Sequence, residues 1–295
     1  MISILPIPFC GVDPALGRLD YDSLSQQALM EMFIAGLEDV DEICGSREEP
    51  NDVQEWEGIY LDEETGNIAE IFWMSMESKG TLDFQWLPST VHLLDISMNK
   101  ISGSIDLSIL PPSTEGLILN SNQFTESVDL SCLHDGMQIL IMSENYFTGS
   151  IDLEHLPKSM QLLELTDNAF TGSVCLKRLP DQLQLLNISR NRLSGSIDLT
   201  NLPPSVETLY LSMNCFVGEV DLKQLPNRLG RLTLNDNAFS GLTDFGRLPG
   251  SMLYFDASNT QLSGEIFVDV SLWERYIVNN SNVVKKCAAS TSCDE

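Results

Sequence analysis

A chain of 295 residues with 43% hydrophobic side chains holds enough apolar surface for one continuous core. Its 43 acidic against 16 basic residues leave a formal charge of −27, and without a cluster of Lys or Arg this excludes nucleic acid and anionic membrane as favoured partners. No apolar run reaches transmembrane length, so no membrane insertion is expected.

Residues 1–21 begin with an apolar run that lacks a positively charged start and is interrupted by Pro6 and Pro8. They read as a leader packed on a cap rather than a cleaved signal. Residues 22–70 read as an N-terminal cap. Leu24, Ala28, Met32, Phe33, Gly36, Leu37 and Val40 fall at helical spacing behind a candidate N-cap at Asp22 or Ser23. The acidic stretch Glu38 to Glu57 reads as a solvated loop, and the residues from Trp56 to Ile68 as a hairpin turning at Glu64 to Asn67.

From residue 71 to residue 282 the chain repeats itself. Asn99, Asn122, Asn145, Asn168, Asn191, Asn214 and Asn237 recur every 23 residues, with Thr260 next in step and Met76 one step before. Five and three residues before each asparagine stand apolar side chains, such as Leu163 and Leu165 before Asn168. Alternation at that spacing predicts one short strand per coil, with both apolar columns inward. The asparagine amide is placed to satisfy backbone groups freed where the strand ends, so the stacked coils should carry an asparagine ladder. Two residues on, Ile101, Phe124, Phe147, Phe170, Leu193, Phe216, Phe239 and Leu262 form a second apolar spine. A glycine column follows, in which only Glu126 departs.

The L-x-L-x-x-N core resembles a leucine-rich repeat, and LSxNxFxGxI is similar to its plant-type subclass, found in receptor ectodomains and secreted inhibitors of cell-wall-degrading enzymes. The resemblance implies an α/β solenoid: a right-handed coil of about nine repeats, with a parallel concave sheet and an N-terminal helix-hairpin cap. The helix followed by W-x-G-I and T-G-x-I resembles the cap of that subclass. This chain departs from the pattern in two places, with aspartate where a proline usually follows GxI, and Gln54 and Leu61 near the positions of two cap cysteines. Without that disulfide a cytoplasmic chain is expected over a secreted one. The scattered Cys132, Cys175 and Cys215 read as isolated thiols, whereas Cys287 and Cys293 are spaced to close a small loop in a tail, residues 283–295, read as disordered or loosely attached. Sequons stand at Asn187 and Asn279.

Function is read from the outward strand positions. Leu93, Ile118, Ile139, Ile141, Leu162 and Leu185 should be neighbours on the concave face, with Glu164 among them and Tyr210, Arg231 and Tyr254 extending the patch. The small polar column of Ser97, Asn120, Ser143, Thr166, Ser189, Ser212, Asn235 and Ser258 reads as structural. So does the convex column of Asp83, Asp106, Asp129, Asp152, Asp198, Asp221 and Asp244, whose side chains are suited to capping the turns that follow. His92, His134 and His155 fall in different coils and no nucleophile, phosphate or metal motif is present, so neither enzymatic activity nor a cofactor is expected. The expected function is protein recognition by a rigid concave scaffold, the alternative a secreted recognition or inhibitor module using the same patch.

Overall fold

The computed structural model describes residues 24–288 of the chain. The leader reading for residues 1–21 and the Cys287–Cys293 loop therefore fall wholly or partly outside the described residues. Eleven strands form one sheet, which runs from Ile59–Leu61 and Ile68–Phe72 through one three-residue strand per coil to Tyr254–Asp256 and Tyr276–Ile277. The first pair is antiparallel and all later pairs are parallel, each coil's strand in register with the same three positions of its neighbour, as Leu162, Leu163 and Glu164 are with Leu185, Leu186 and Asn187, until the last pair, which shares two. Identical pleats in consecutive coils put every inward leucine over the last.

A second set of strands follows the asparagine column. Lys79–Gly80, Lys100–Gly103 and Gln123–Phe124 form one sheet, and Thr148–Gly149 to Asn282–Cys287 form another of seven strands. The gap between them falls at the coil where Glu126 replaces glycine. Glu126 adopts a φ of 69°, where its glycine counterparts at 103 and 149 have φ of 105° and 82°. The break is spanned by an isolated bridge from Ser127 to Thr148 and by backbone hydrogen bonds from Tyr146 N–H to the Phe124 carbonyl and from Thr148 N–H to the Glu126 carbonyl, rather than by a continuous strand pair. A β-carbon in this left-handed region crowds the neighbouring backbone.

Between the two sheets lies the core. Phe124, Phe147 and Phe170 stack with centroids 6.0 and 6.2 Å apart, Leu193 interrupts, and Phe216 and Phe239 resume at 6.0 Å. The convex side returns through 3-10 turns or irregular turns, and the α-helices of the described residues are both in the cap, so the coils are closer to a β-solenoid than to α/β layers. The 12 residues between a flank strand such as Lys100–Gly103 and the next leucine strand, Gly116–Ile118, hold one short 3-10 turn, Leu107–Ile109.

The cap departs from expectation in detail. The helix is Gln26–Phe33, and its N-cap is Ser25, whose hydroxyl accepts from the Ala28 N–H, rather than Asp22 or Ser23. The acidic stretch is not simply a solvated loop: it contains a helical turn, Asp41–Cys44, and buries Ile43, Cys44, Val53 and Trp56. Gln26 ties helix to hairpin, accepting from Ile68 N–H and donating to Asn67. Phe33 stacks on Trp73 of the first coil at 5.9 Å and closes that end of the core. At the other end the expected disordered tail is corrected in part, since Asn282–Cys287 pairs with the strand Gln261–Val268 and buries Val283.

Candidate functional site

The concave face is built from two rows of outward side chains. Cross-strand register places Leu93, Gly116, Ile139, Leu162, Leu185, Thr208, Arg231 and Tyr254 in one, and Asp95, Ile118, Ile141, Glu164, Asn187, Tyr210, Thr233 and Asp256 in the other. The expected neighbours are therefore brought together. Leu93, Ile118, Ile139, Ile141, Leu162 and Leu185 are each half-buried, and the Leu93 side chain leans over Gly116, where a β-carbon would collide with it. From Ile118 to Leu185 the result is an apolar platform about 15 Å long across four strands, which Leu93 extends onto a fifth.

Glu164 stands in the middle of it, between Ile141 and Asn187. Burial among these neighbours pushes its carboxyl above the ordinary range. Tyr210 and Tyr254 are half-buried further along, and burial, with the charge of Asp256, raises the Tyr254 phenol. Arg231 is exposed beside Tyr254.

Two columns framing the platform were not singled out in the sequence. Upstream of the strands, Gln161 donates to Gln138 at 2.9 Å and Gln138 to Glu115 at 2.8 Å. The recurring Gln-Leu-Leu and Gln-Ile-Leu triplets were its visible signal. Downstream, the residue before each asparagine is left-handed, with φ between 51° and 59° from Ser75 to Asn259. Its occupants include Met98, Glu144, Asp167, Arg190 and Met213, a mixture that carries no glycine signature. They link laterally: Ser121 donates to Glu144 at 2.8 Å, Arg190 pairs with Asp167 at 2.9 Å, and Asn259 donates to Asp236 at 2.7 Å.

The small polar column is largely self-satisfied, Thr166 donating to the Ser189 carbonyl and Ser212 to the Ser189 hydroxyl. Ser143 is an exception: 5% exposed, its Oγ has no hydrogen-bond partner. On the convex side the aspartates cap the turns, as Asp106 does to Ser108 N–H at 2.9 Å and Asp221 to Lys223 N–H at 2.9 Å. Hydroxyl and N–H of Thr200, aided by Lys177, hold Asp198 down to about 2. The same column is extended by Asp269, which caps Ser271 outside the repeat register.

The histidines stay apart. His155 contacts Asp152 at 2.7 Å, His92 the Ser113 carbonyl at 3.0 Å, and His134 accepts from Gly136 N–H at 3.1 Å. Among the described residues no grouping of His, Cys, Asp and Glu is arranged to hold a metal, and no helix is long and apolar enough to cross a membrane.

No protein-family model and no curated protein matches the chain by sequence. Solved structures do match in fold. The leucine-rich repeat ectodomain of the receptor kinase GASSHO1/SCHENGEN3 from Arabidopsis thaliana, in complex with Casparian strip integrity factor 2, is 21% identical with a TM-score of 0.58, over 88% of this chain and 36% of the receptor chain. A plant ice-binding protein is 18% identical with a TM-score of 0.62, over 90% of this chain and 98% of its own. A TDR receptor is 17% identical with a TM-score of 0.52, over 74% and 43%. The chain thus spans about a third of the first ectodomain and nearly all of the ice-binding protein. At these identities the likeness is one of fold, a leucine-rich repeat solenoid.

Proposed function

We propose that the chain is a non-enzymatic recognition scaffold that binds a partner protein on its concave face. The observation that carries this is the platform of Ile118, Ile139, Ile141, Leu162 and Leu185, six apolar groups with Leu93, contiguous on a sheet face that nothing within the described chain covers. A repeat fold specifies a surface rather than an activity, so the surface is where the function is read. Tyr210, Arg231 and Tyr254 continue it with side chains enriched at binding hot spots. The double variant Ile141→Asp, Leu162→Asp is expected to abolish partner capture from the native extract with the circular dichroism spectrum unchanged, because two charges would have to be desolvated at the contact. Undiminished capture would overturn the concave assignment.

The ectodomain likeness favours a secreted or surface setting, similar to plant receptor ectodomains and inhibitor modules, over the cytoplasmic one expected from the missing cap cysteines. Asn279 is exposed and Asn187 lies within the second row of the platform. Intact mass of the native protein separates the settings: glycan on Asn279 supports the secreted one, and an unglycosylated, unprocessed chain the cytoplasmic one.

A second reading, on another face, draws on the ice-binding neighbour. Thr125, Thr148 and Thr171, with Ser127, Ser150 and Ser173, stand exposed at one-coil intervals along the flank that carries the second set of strands, on both sides of its break. Such a hydroxyl array suits an ordered water surface. Ice-growth inhibition that is lost in Thr148→Lys, Thr171→Lys would support this reading, and its absence in the unmodified chain would remove it.

A further inference from the structure

We propose that the concave platform is built for an extended segment of a partner protein that carries a lysine or arginine between apolar residues, the cation seated on Glu164. This rests on the concave-face reading and names its occupant. The argument begins with how the other acids of the face are used. Asp95 accepts from Ser97 N–H at 2.9 Å and Asp256 from Ser258 N–H at 2.9 Å. Glu115, Glu144, Asp167 and Asp236 are each bonded to a neighbouring coil, and Glu207 lies 4.0 Å from Arg228. The Glu164 carboxylate has no hydrogen bond and no ion pair among the described residues, as is true of Glu70 at the far end of the same face beside Leu93. Glu164 alone stands within the apolar platform, half-buried between Ile141 and Asn187 on the strand of Leu162.

A carboxylate partly withdrawn from water without a partner is destabilising, and its cost is recovered when a cation arrives with apolar flanks that complete the desolvation. Four strands about 4.8 Å apart are crossed by roughly five residues of extended chain at about 3.3 Å each, which sets the length of the segment. The unpartnered Ser143 hydroxyl, two residues beyond Ile141 on the same side of its strand, supplies a polar group at the edge of the same footprint. Charge selects the kind of partner. With a net charge of −27 on this chain, a second copy is repelled, whereas a basic segment is drawn in.

The test uses the full chain and short synthetic peptides with a central Leu-X-Leu-X-Leu, X being Lys, Ser or Glu, read by fluorescence anisotropy at physiological salt. The Lys peptide is expected to bind about tenfold or more tighter than the Ser peptide, and the Glu peptide not at all. E164Q should erase most of that preference, while E207Q, an equal change of charge off the platform, should alter it less than about twofold. Equal weakening by both variants, equal binding of Lys and Ser peptides, or no binding of any peptide overturns the proposal. If binding is equal but Ile141→Asp still removes it, the concave reading survives without the basic occupant. If Ile141→Asp leaves binding untouched, the concave reading fails with it. Tighter binding of a synthetic peptide of residues 1–23 would make the chain's own N-terminal segment the occupant and also overturn the proposal.

Discussion

Asn145 shows how much one amide does in each coil. Its Nδ2 reaches the carbonyls of Leu119, Met142 and Ser143, and its Oδ1 accepts from Phe124 N–H in the preceding coil. Removing such a side chain leaves several buried backbone groups unmet at once, so Asn145→Ala is expected to cost about 2–4 kcal/mol in chemical denaturation. Phe170→Ala should cost about 3–5 kcal/mol through the cavity it leaves in the phenyl stack. Asp152→Ala removes one cap from an exposed turn and should cost far less; equal destabilisation by the two would contradict the placement of these columns. Glu126→Gly offers the opposite sign. It relieves a left-handed β-carbon at the break between the two flank sheets and should stabilise by about 1 kcal/mol.

The strands of the coils were legible because their signal is repeated: a leucine column misplaced by one residue would be wrong in every coil at once. The candidate platform was legible for the same reason, since strand register converts a sequence column into a row of neighbours. What was not legible lacks repetition or a distinctive residue type. Ser23, Ser25 and Asp22 are all competent N-caps by residue type, so the sequence does not choose among them, and the helix starts behind Ser25. The strand Asn282–Cys287 carries two lysines and a short valine pair, and it exists because the longer strand Gln261–Val268 presents an edge for it. The left-handed column before the asparagines accepts Met, Glu, Asp and Arg, so its composition gave no sign of its backbone. Gly195→Ala is a test at this level: with φ at 84° and the Ser173 β-carbon 3.1 Å from the added methyl, it should cost about 1–2 kcal/mol and loosen the second sheet locally in hydrogen exchange.

For the molecule as a whole, acid titration should have two phases. Glu164 is raised by burial, so its charged form opposes folding above that pKa, and stability is gained as pH falls through it toward the unfolded value near about 4.3. Relief of repulsion within a chain of net charge −27 acts in the same direction. The turn-capping aspartates act oppositely. The Ser108 and Ser131 hydroxyls and N–H groups hold Asp106 and Asp129 low, and Thr200 holds Asp198 at about 2. Their contribution is fully present above the unfolded value near about 3.9 and is lost as pH falls through the depressed ones. The melting temperature is therefore expected to rise modestly from pH 7 toward about pH 5 and to fall below about pH 4. A melting temperature still rising at pH 2 would show that the caps contribute nothing, and E164Q should flatten the first phase.

The hydrogen bonds that join each coil to the next connect residues 21 to 26 positions apart, whichever coil is considered. For a chain of 295 residues that is a mean reach of about 0.08 of its length, in the range of helical bundles rather than of sandwiches with the same content of strand. The search for each new partner is thus short and does not lengthen as coils are added. During synthesis, a coil leaving the ribosome meets its neighbour already in place, against a cap that was made first. The chain assembles in the order in which it is read.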